Sequence, residues 1–222
     1  MAIPIDKFVR SKRKTIALIV QPDGTLTVRA PMRMPEARIR DFVESHADWI
    51  RRARAKVHKA TPVRPKSYTE GETFLFLGQA YPLKIVPRQR SRLDFDREAF
   101  KLTKSALPKA EEAFKLWYKK QAAAFLAERV QLRARSQGFK YKKIRISSAR
   151  TRWGSCSSNG TLSFTYRLIM APLQVVDYVI VHELVHTQIR NHSKTFWRRV
   201  GEVMPDYKTS LTWLKKNGSS LV

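Results

Sequence analysis

Val181-His182-Glu183-Leu184-Val185-His186-Thr187-Gln188-Ile189-Arg190-Asn191-His192 holds three of the five histidines of the chain. On a helix His182 and His186 stand at i and i+4, so both imidazoles leave one face about a turn apart. On a strand the same two residues would lie ~13 Å apart, too far to share one ion. The preceding Val175, Val176, Val179, Ile180 and Val181 are β-branched and favour a strand by propensity. The histidine spacing overrides them, Pro172 suits a helix start, and a helix apolar nearly all round is a buried one. The stretch therefore predicts a buried helix carrying an HExxH pattern. Its two histidines reach one tetrahedral zinc, while Glu183 stands beside them without being a ligand.

His192 lies six positions beyond His186, which on a continued helix is about 240° around the axis and off the metal face. Either His192 is no ligand, or the helix ends near Arg190-Asn191 and the chain turns back. Asn191 tolerates the left-handed conformation such a turn often uses. The spacing is that of the long metzincin motif, with Ile189 where that motif has glycine and no assignable Met-turn. In the gluzincin variant a downstream glutamate is the third ligand, and Glu202 is the candidate for that place.

Three neutral imidazoles would leave zinc its full charge and an open fourth position for water. Glu183 is then placed to act as general base and to pass the proton to the leaving group. A structural zinc site prefers four protein ligands, and Cys156 supplies the only thiol of the chain. The pattern thus reads as a catalytic site with one zinc per chain.

Outward from this stretch, 222 residues can bury one large core or two modest ones, and 43% hydrophobic content argues for a folded protein. Lys+Arg outnumber Asp+Glu 44 to 18, a net charge of +26 that makes nucleic acid or another polyanion a plausible partner. A single cysteine excludes an internal disulfide and Cys-based zinc sites. No apolar run approaches the ~18 residues of a membrane span, and residues 1–13 turn basic without a signal-length apolar run. A cytoplasmic, reducing setting is the expectation.

In chain order, residues 15–20 and 25–29 flank Pro22-Asp23-Gly24 as a hairpin. One helix is expected from Glu36, with Ile39, Phe42, Val43, His46, Ile50, Ala53 and Val57 on its apolar face. That face makes His46 a core or boundary residue. The run 51–56 extends the helix with positive charge, either a solvated face or a phosphate-contacting patch. A Pro-rich connection covers 60–70. Short strands follow at 73–77 and 81–86, with two more near 93–95 and 99–102. A long helix runs from Pro108 to about Ser136 and stops at Gly138. Residues 143–147 and 161–166 read as strands around an irregular segment at 150–160. The fold class is α+β. Residues 1–105 form a β-rich N-terminal half with one helix, and 106–222 a catalytic half, with a single continuous domain as the alternative.

Arg152-Trp153-Gly154-Ser155-Cys156-Ser157, Pro172, residues 177–186, Asn191-His192-Ser193 and Phe196-Trp197, in that order, resemble the YgjP-like metallohydrolase family. That family belongs to the small zincins, near the WLM and SprT-like proteases. The likeness is strong over the C-terminal third and looser over the rest. It implies a zincin-like core built from a long backing helix, a small sheet and the HExxH helix. By position it implies His182, His186 and His192 as zinc ligands and Glu183 as general base. The family is labelled metallopeptidase, and a UTP pyrophosphatase activity has also been attached to it.

Other residues are weaker candidates. Arg150, Arg152 and Arg167 would bind substrate phosphates, since guanidinium forks match phosphate oxygens. Tyr178 or Tyr207 would stabilise an oxyanion. Cys156 reads as a small buried residue, and Phe196 and Trp197 as anchors to the core. The strand at 161–166 is a candidate edge for an added peptide strand. Three functions compete: a zinc peptidase, a metal-dependent nucleotide pyrophosphatase, and a DNA-associated SprT-like protease or nucleic-acid-binding protein. Oligomeric state is not encoded in any of these features.

Overall fold

Apolar side chains alternate along Leu26–Pro31, and Leu26, Val28 and Ala30 are fully buried on one face of that strand. The computed structural model describes residues 3–21, 23–59 and 65–221, with the side chains of 56–59 left out of the description. Pro22 of the expected turn, the side chain of Val57 and residues 60–64 of the Pro-rich connection lie outside the described residues. The chain divides into two units, Met1–Arg64 and Pro65–Val222.

In the first unit, β1 (Lys7–Ser11) pairs parallel, and β2 (Ala17–Val20) antiparallel, with the central strand β3 (Leu26–Pro31). The expected single helix is two, α1 (Glu36–Ser45) and α2 (Ala47–Lys59). The break falls at His46, where Nδ1 lies 2.8 Å from the carbonyl oxygen of Phe42 and 3.0 Å from Ser45 Oγ. His46 is therefore an exposed joint residue and not part of the core. Ile39 and Val43 from α1 and Ile50 from α2 close the small core over β3.

The second unit begins with a hairpin of β4 (Thr73–Phe76) and β5 (Gln79–Val86), turned by Leu77 and Gly78, both at positive φ. Next to β5 lies β7 (Phe100–Thr103), and β6 (Leu93–Phe95) forms the far edge, giving the order β4-β5-β7-β6. These strands, read from sequence as part of the N-terminal half, pack with α3 (Ala110–Gln137) in one continuous core. Phe74 stacks on Phe114 at 4.0 Å, Phe100 meets Trp117 at 5.0 Å, and Tyr118 donates to the Leu75 carbonyl at 2.6 Å. The compact division consequently falls before β4 rather than after β7. Gly138 ends α3 in the left-handed conformation, the helix stop its place in the sequence predicts.

A second sheet, β8 (Lys143–Ser147), β9 (Gly154–Cys156) and β10 (Thr161–Thr165), has the order β8-β10-β9. β10 pairs parallel with β8 and antiparallel with β9. The strand expected as an edge is thus the sheet's centre, bonded on both sides, and cannot accept a further chain. The edge beside α4 (Leu173–Val185) is β9. The helices α5 (Lys194–Val203) and α6 (Tyr207–Asn217) complete a mixed α+β fold.

Candidate metal centre

Buried α4 owes its position to charge as well as to apolar packing. Asp177, 4% exposed, accepts bonds from Arg129 Nε at 3.0 Å, from Arg129 Nη2, and from Arg133 Nη2 at 2.6 Å. Both arginines lie on α3, so the fork fixes the rotation and axial height of α4 against that helix. His182 and Glu183 follow within two turns of Asp177 on the same rigid element.

α4 ends at Val185, earlier than the sequence suggests, and His186 is its C-cap. Thr187 Oγ1 donates to the Leu184 carbonyl at 2.7 Å, and the amide of Ile189 donates to Val185 at 2.9 Å. The chain reverses here without any residue at positive φ, so Asn191 is not left-handed. Neither a glycine at 189 nor a left-handed Asn191 is needed. Ser193 caps α5 by accepting from the Phe196 amide at 3.4 Å, which brings His192 back over the end of α4.

Three imidazoles meet as a result. His192 Nε2 stands 3.0 Å from His182 Nε2 and 3.2 Å from His186 Nε2. A four-coordinate ion with metal–nitrogen bonds of 2.0–2.1 Å separates its ligand nitrogens by about 3.3 Å, so both separations match those between corners of one tetrahedron, and all three ligand atoms lie within 4.8 Å of one another. His186 Nδ1 donates to the Ile189 carbonyl at 3.0 Å, which leaves its Nε2 as a free lone pair. Burial, with the neighbouring His186 and His192, holds His182 down to about 3. Burial also lowers His186, against the bond to Ile189 that favours its charged form. Neutral imidazole is the form that binds a metal. Phe196, wholly buried, lies against all three rings at 4.5–4.9 Å, and Trp197 stacks on His192 at 5.8 Å. This apolar floor locks the rings and keeps water from one side of them.

Glu183 lies beside the cluster, 5% exposed, its Oε2 without a hydrogen-bond partner. Burial pushes its carboxyl up to about 7, against the opposing charge of Arg152. A carboxyl raised in this way holds a proton more readily than an ordinary glutamate, as a group that takes and returns one requires. It faces β9, where a Cβ at Gly154 would stand 2.6 Å from both Cγ and Oε1 of the glutamate. Only glycine at 154 leaves room for this side chain. A cavity of about 300 Å³, lined by Trp153, Tyr178, Leu211, Leu214 and Lys215 among others, opens onto His182 and Glu183.

The remaining candidates separate. Glu202 pairs with Arg199 at 3.1 Å on the outside of α5, 51% exposed, and is not among the clustered ligand atoms. Tyr178 stacks with Tyr207 at 6.3 Å and lies 5.9 Å from the His182 ring, on the rim of the site. Arg167 is buried, whereas Arg150 and Arg152 are exposed, and the three line a smaller cavity behind Trp153. Cys156 is half-buried, with burial pushing its thiol up against the pull of Arg190. Sequence reasoning missed Arg190, which donates to the carbonyls of Ser157 at 2.7 Å and Ser158 at 2.9 Å and ties the turn after β9 to the segment bearing His192. It also missed Asp177, although an acid inside an otherwise apolar helix is a signal that a buried cation faces it.

A family model described as YgjP-like, metallopeptidase domain, matches residues 14–217. Among curated proteins nothing matches. The crystal structure of the metallopeptidase zymogen of Pyrococcus abyssi abylysin is similar at 21% identity and a TM-score of 0.38, over 44% of this chain and 99% of that one. No helix among the described residues is long and apolar enough to cross a membrane.

Proposed function

Because the chain belongs to the YgjP-like metallopeptidase-domain family, we propose that it is a zinc-dependent peptidase whose ion is held by His182, His186 and His192 and whose general base is Glu183. The observation that carries this reading is the convergence of three Nε2 atoms beside a buried carboxylate with one unpartnered oxygen. The reading takes α3 as the backing helix, β8-β10-β9 as the sheet and α4 as the HExxH helix of a zincin-like core, and the packing of α3 and β9 against α4 supports it. At this face of the site zinc would act as a Lewis acid and bring the pKa of a bound water toward neutrality.

The chain's own residues do the rest. Glu183 accepts a proton from the attacking water and delivers it to the departing amine nitrogen. Gly154 leaves room for that carboxylate against the strand, and the Asp177 fork holds the helix that carries it. β9 offers a free edge for an extended peptide, antiparallel or parallel, beside the base. The side chain next to the scissile bond enters the apolar cavity lined by Tyr178, Leu211 and Leu214.

Zinc analysis with paired assays on the full chain and on Glu183→Gln tests the reading. The expected result is about one zinc per chain in both proteins. Cleavage of an unfolded protein such as casein falls by about 10²-fold or more in the variant. A parallel assay for pyrophosphate release from UTP reads out the nucleotide alternative. Zinc-loaded protein that turns over neither substrate overturns the hydrolase reading.

A further inference from the structure

Arg167 sits in the 3-10 turn Tyr166–Met170 that follows β10, and only 8% of it is exposed. Its guanidinium lies over the Tyr166 ring at 4.5 Å, and Nη1 donates to the Ser148 carbonyl at 3.3 Å. Nε is buried with no partner at all. Among the described residues no carboxylate forms an ion pair with Arg167, Arg150 or Arg152. The contrast with Asp177 is direct: there a buried carboxylate is met by two guanidiniums, whereas here three arginines line one cavity and none is ion-paired among the described residues, Arg152 acting on Glu183 only from beyond ion-pair distance. Burying a charge without a counter-charge is costly, and the cost falls when an anion fills the place.

The three arginines, with Trp153, Thr165 and Ser219, line a cavity of about 60 Å³. Whole-ligand pockets run to about 300–1,000 Å³, so this one has room for a single functional group. Trp153 also walls the cavity that holds His182 and Glu183, so the two spaces share one side chain. Planar guanidiniums present forked donors that match the oxygens of a carboxylate or a phosphate.

We propose that Arg150, Arg152 and Arg167 form an oxyanion subsite adjoining the catalytic cavity, which takes a carboxylate or phosphate group carried by the substrate of the metal site. The assignment rests on the reading that hydrolysis occurs at Glu183 and the three histidines. It gives the substrate a polarity: an anionic group is anchored on one side of Trp153 while the bond to be cut lies on the other.

Calorimetric titration of the full chain with inorganic phosphate, and separately with N-acetylglycine as a carboxylate, tests the site at fixed ionic strength. Saturable binding is expected for at least one probe, weakened about tenfold or more in Arg150→Gln and in Arg152→Gln. Arg88→Gln, which removes the same charge from an exposed loop residue, leaves it unchanged. Arg167→Gln abolishes binding where that variant folds, and the two exposed arginines carry the test where it does not. Tighter phosphate binding points to a phosphoryl group as the source, tighter N-acetylglycine to a chain-terminal carboxylate, and either supports the subsite. No saturable binding, or equal weakening in Arg88→Gln, overturns it. Binding is read without turnover, so protein that binds either probe but hydrolyses nothing keeps this site and loses the hydrolase reading. Protein that cleaves casein but binds neither probe does the reverse.

Discussion

Gly154 and Glu183 occupy neighbouring elements so closely that one methyl group at 154 would stand 2.6 Å from the carboxylate side chain. Contacts under about 3 Å are not tolerated, so Gly154→Ala must move the glutamate or the strand. Displacing a catalytic group by about 1 Å costs up to ~10²-fold in rate. Gly154→Ala is expected to lower kcat by about 10–100-fold with zinc content unchanged, as read by metal analysis and peptidase assay. Full activity in this variant would show that the strand gives way and that Gly154 does not position Glu183.

The Asp177 fork is expected to be worth more to stability than a surface ion pair. Breaking a buried pair costs about 3–5 kcal/mol, and Asp177→Ala should fall near the lower end because both arginines reach solvent. Urea unfolding monitored by circular dichroism checks this. A midpoint within error of wild type would show that apolar packing alone holds α4.

Arg190 binds the turn after β9 by two carbonyls and lies two residues before His192. Residues that orient metal ligands from outside typically change metal affinity about 10–100-fold when removed. Arg190→Ala is expected to weaken zinc binding about tenfold in a chelator competition, with little change in the metal-free melting temperature. Its exposed guanidinium is bound to two carbonyls and the Cys156 sulfur and to no carboxylate, which makes the loss one of geometry and not of charge pairing.

Alkaline titration offers a check that does not involve the metal. Burial and nearby Glu111 and Glu72 push the Tyr68 phenol up to about 12, and burial with Tyr207 and Glu183 does the same for Tyr178. Burial raises Tyr118 further still. At pH 11 the absorbance at 295 nm of the folded chain should therefore fall short of that of the unfolded chain, because Tyr68, Tyr118 and Tyr178 keep their protons. A raised folded-state pKa means that the folded chain keeps its proton while the unfolded chain loses it. Stability is thus intact below the unfolded value near 10 and falls as pH rises toward 12. Simple titration of all seven near pH 10 would contradict the burial of Tyr68 and Tyr178.

Much of the site was legible because it rests on side-chain type and helical period. The i, i+4 spacing of His182 and His186 places both on one face of α4 whatever the surroundings, and the mismatch of His192 demands a chain reversal. The device that makes the reversal was not legible. It rests on the amide of Ile189 and the carbonyls of Leu184 and Val185, main-chain groups common to every residue. Likewise Gly154-Ser155-Cys156 lacks β-branched residues, so it reads as irregular until β10 pairs with it. The apolar face continues in register from Ile39 to Ile50, which hides the break at His46 made by local bonds to Ser45 and Phe42. The division at residue 65 depends on which core the strands 73–103 join, and strand pattern carries no such address.

β9 is only three residues long, about 10 Å of edge. A chain laid along it gains a few main-chain bonds and no more, so lengthening a substrate beyond that span should add little to its capture. Under the peptidase reading, the enzyme grips a short, already loosened piece of polypeptide by its side chains. Folded domains, whose backbones are committed to their own sheets and helices, pass by untouched.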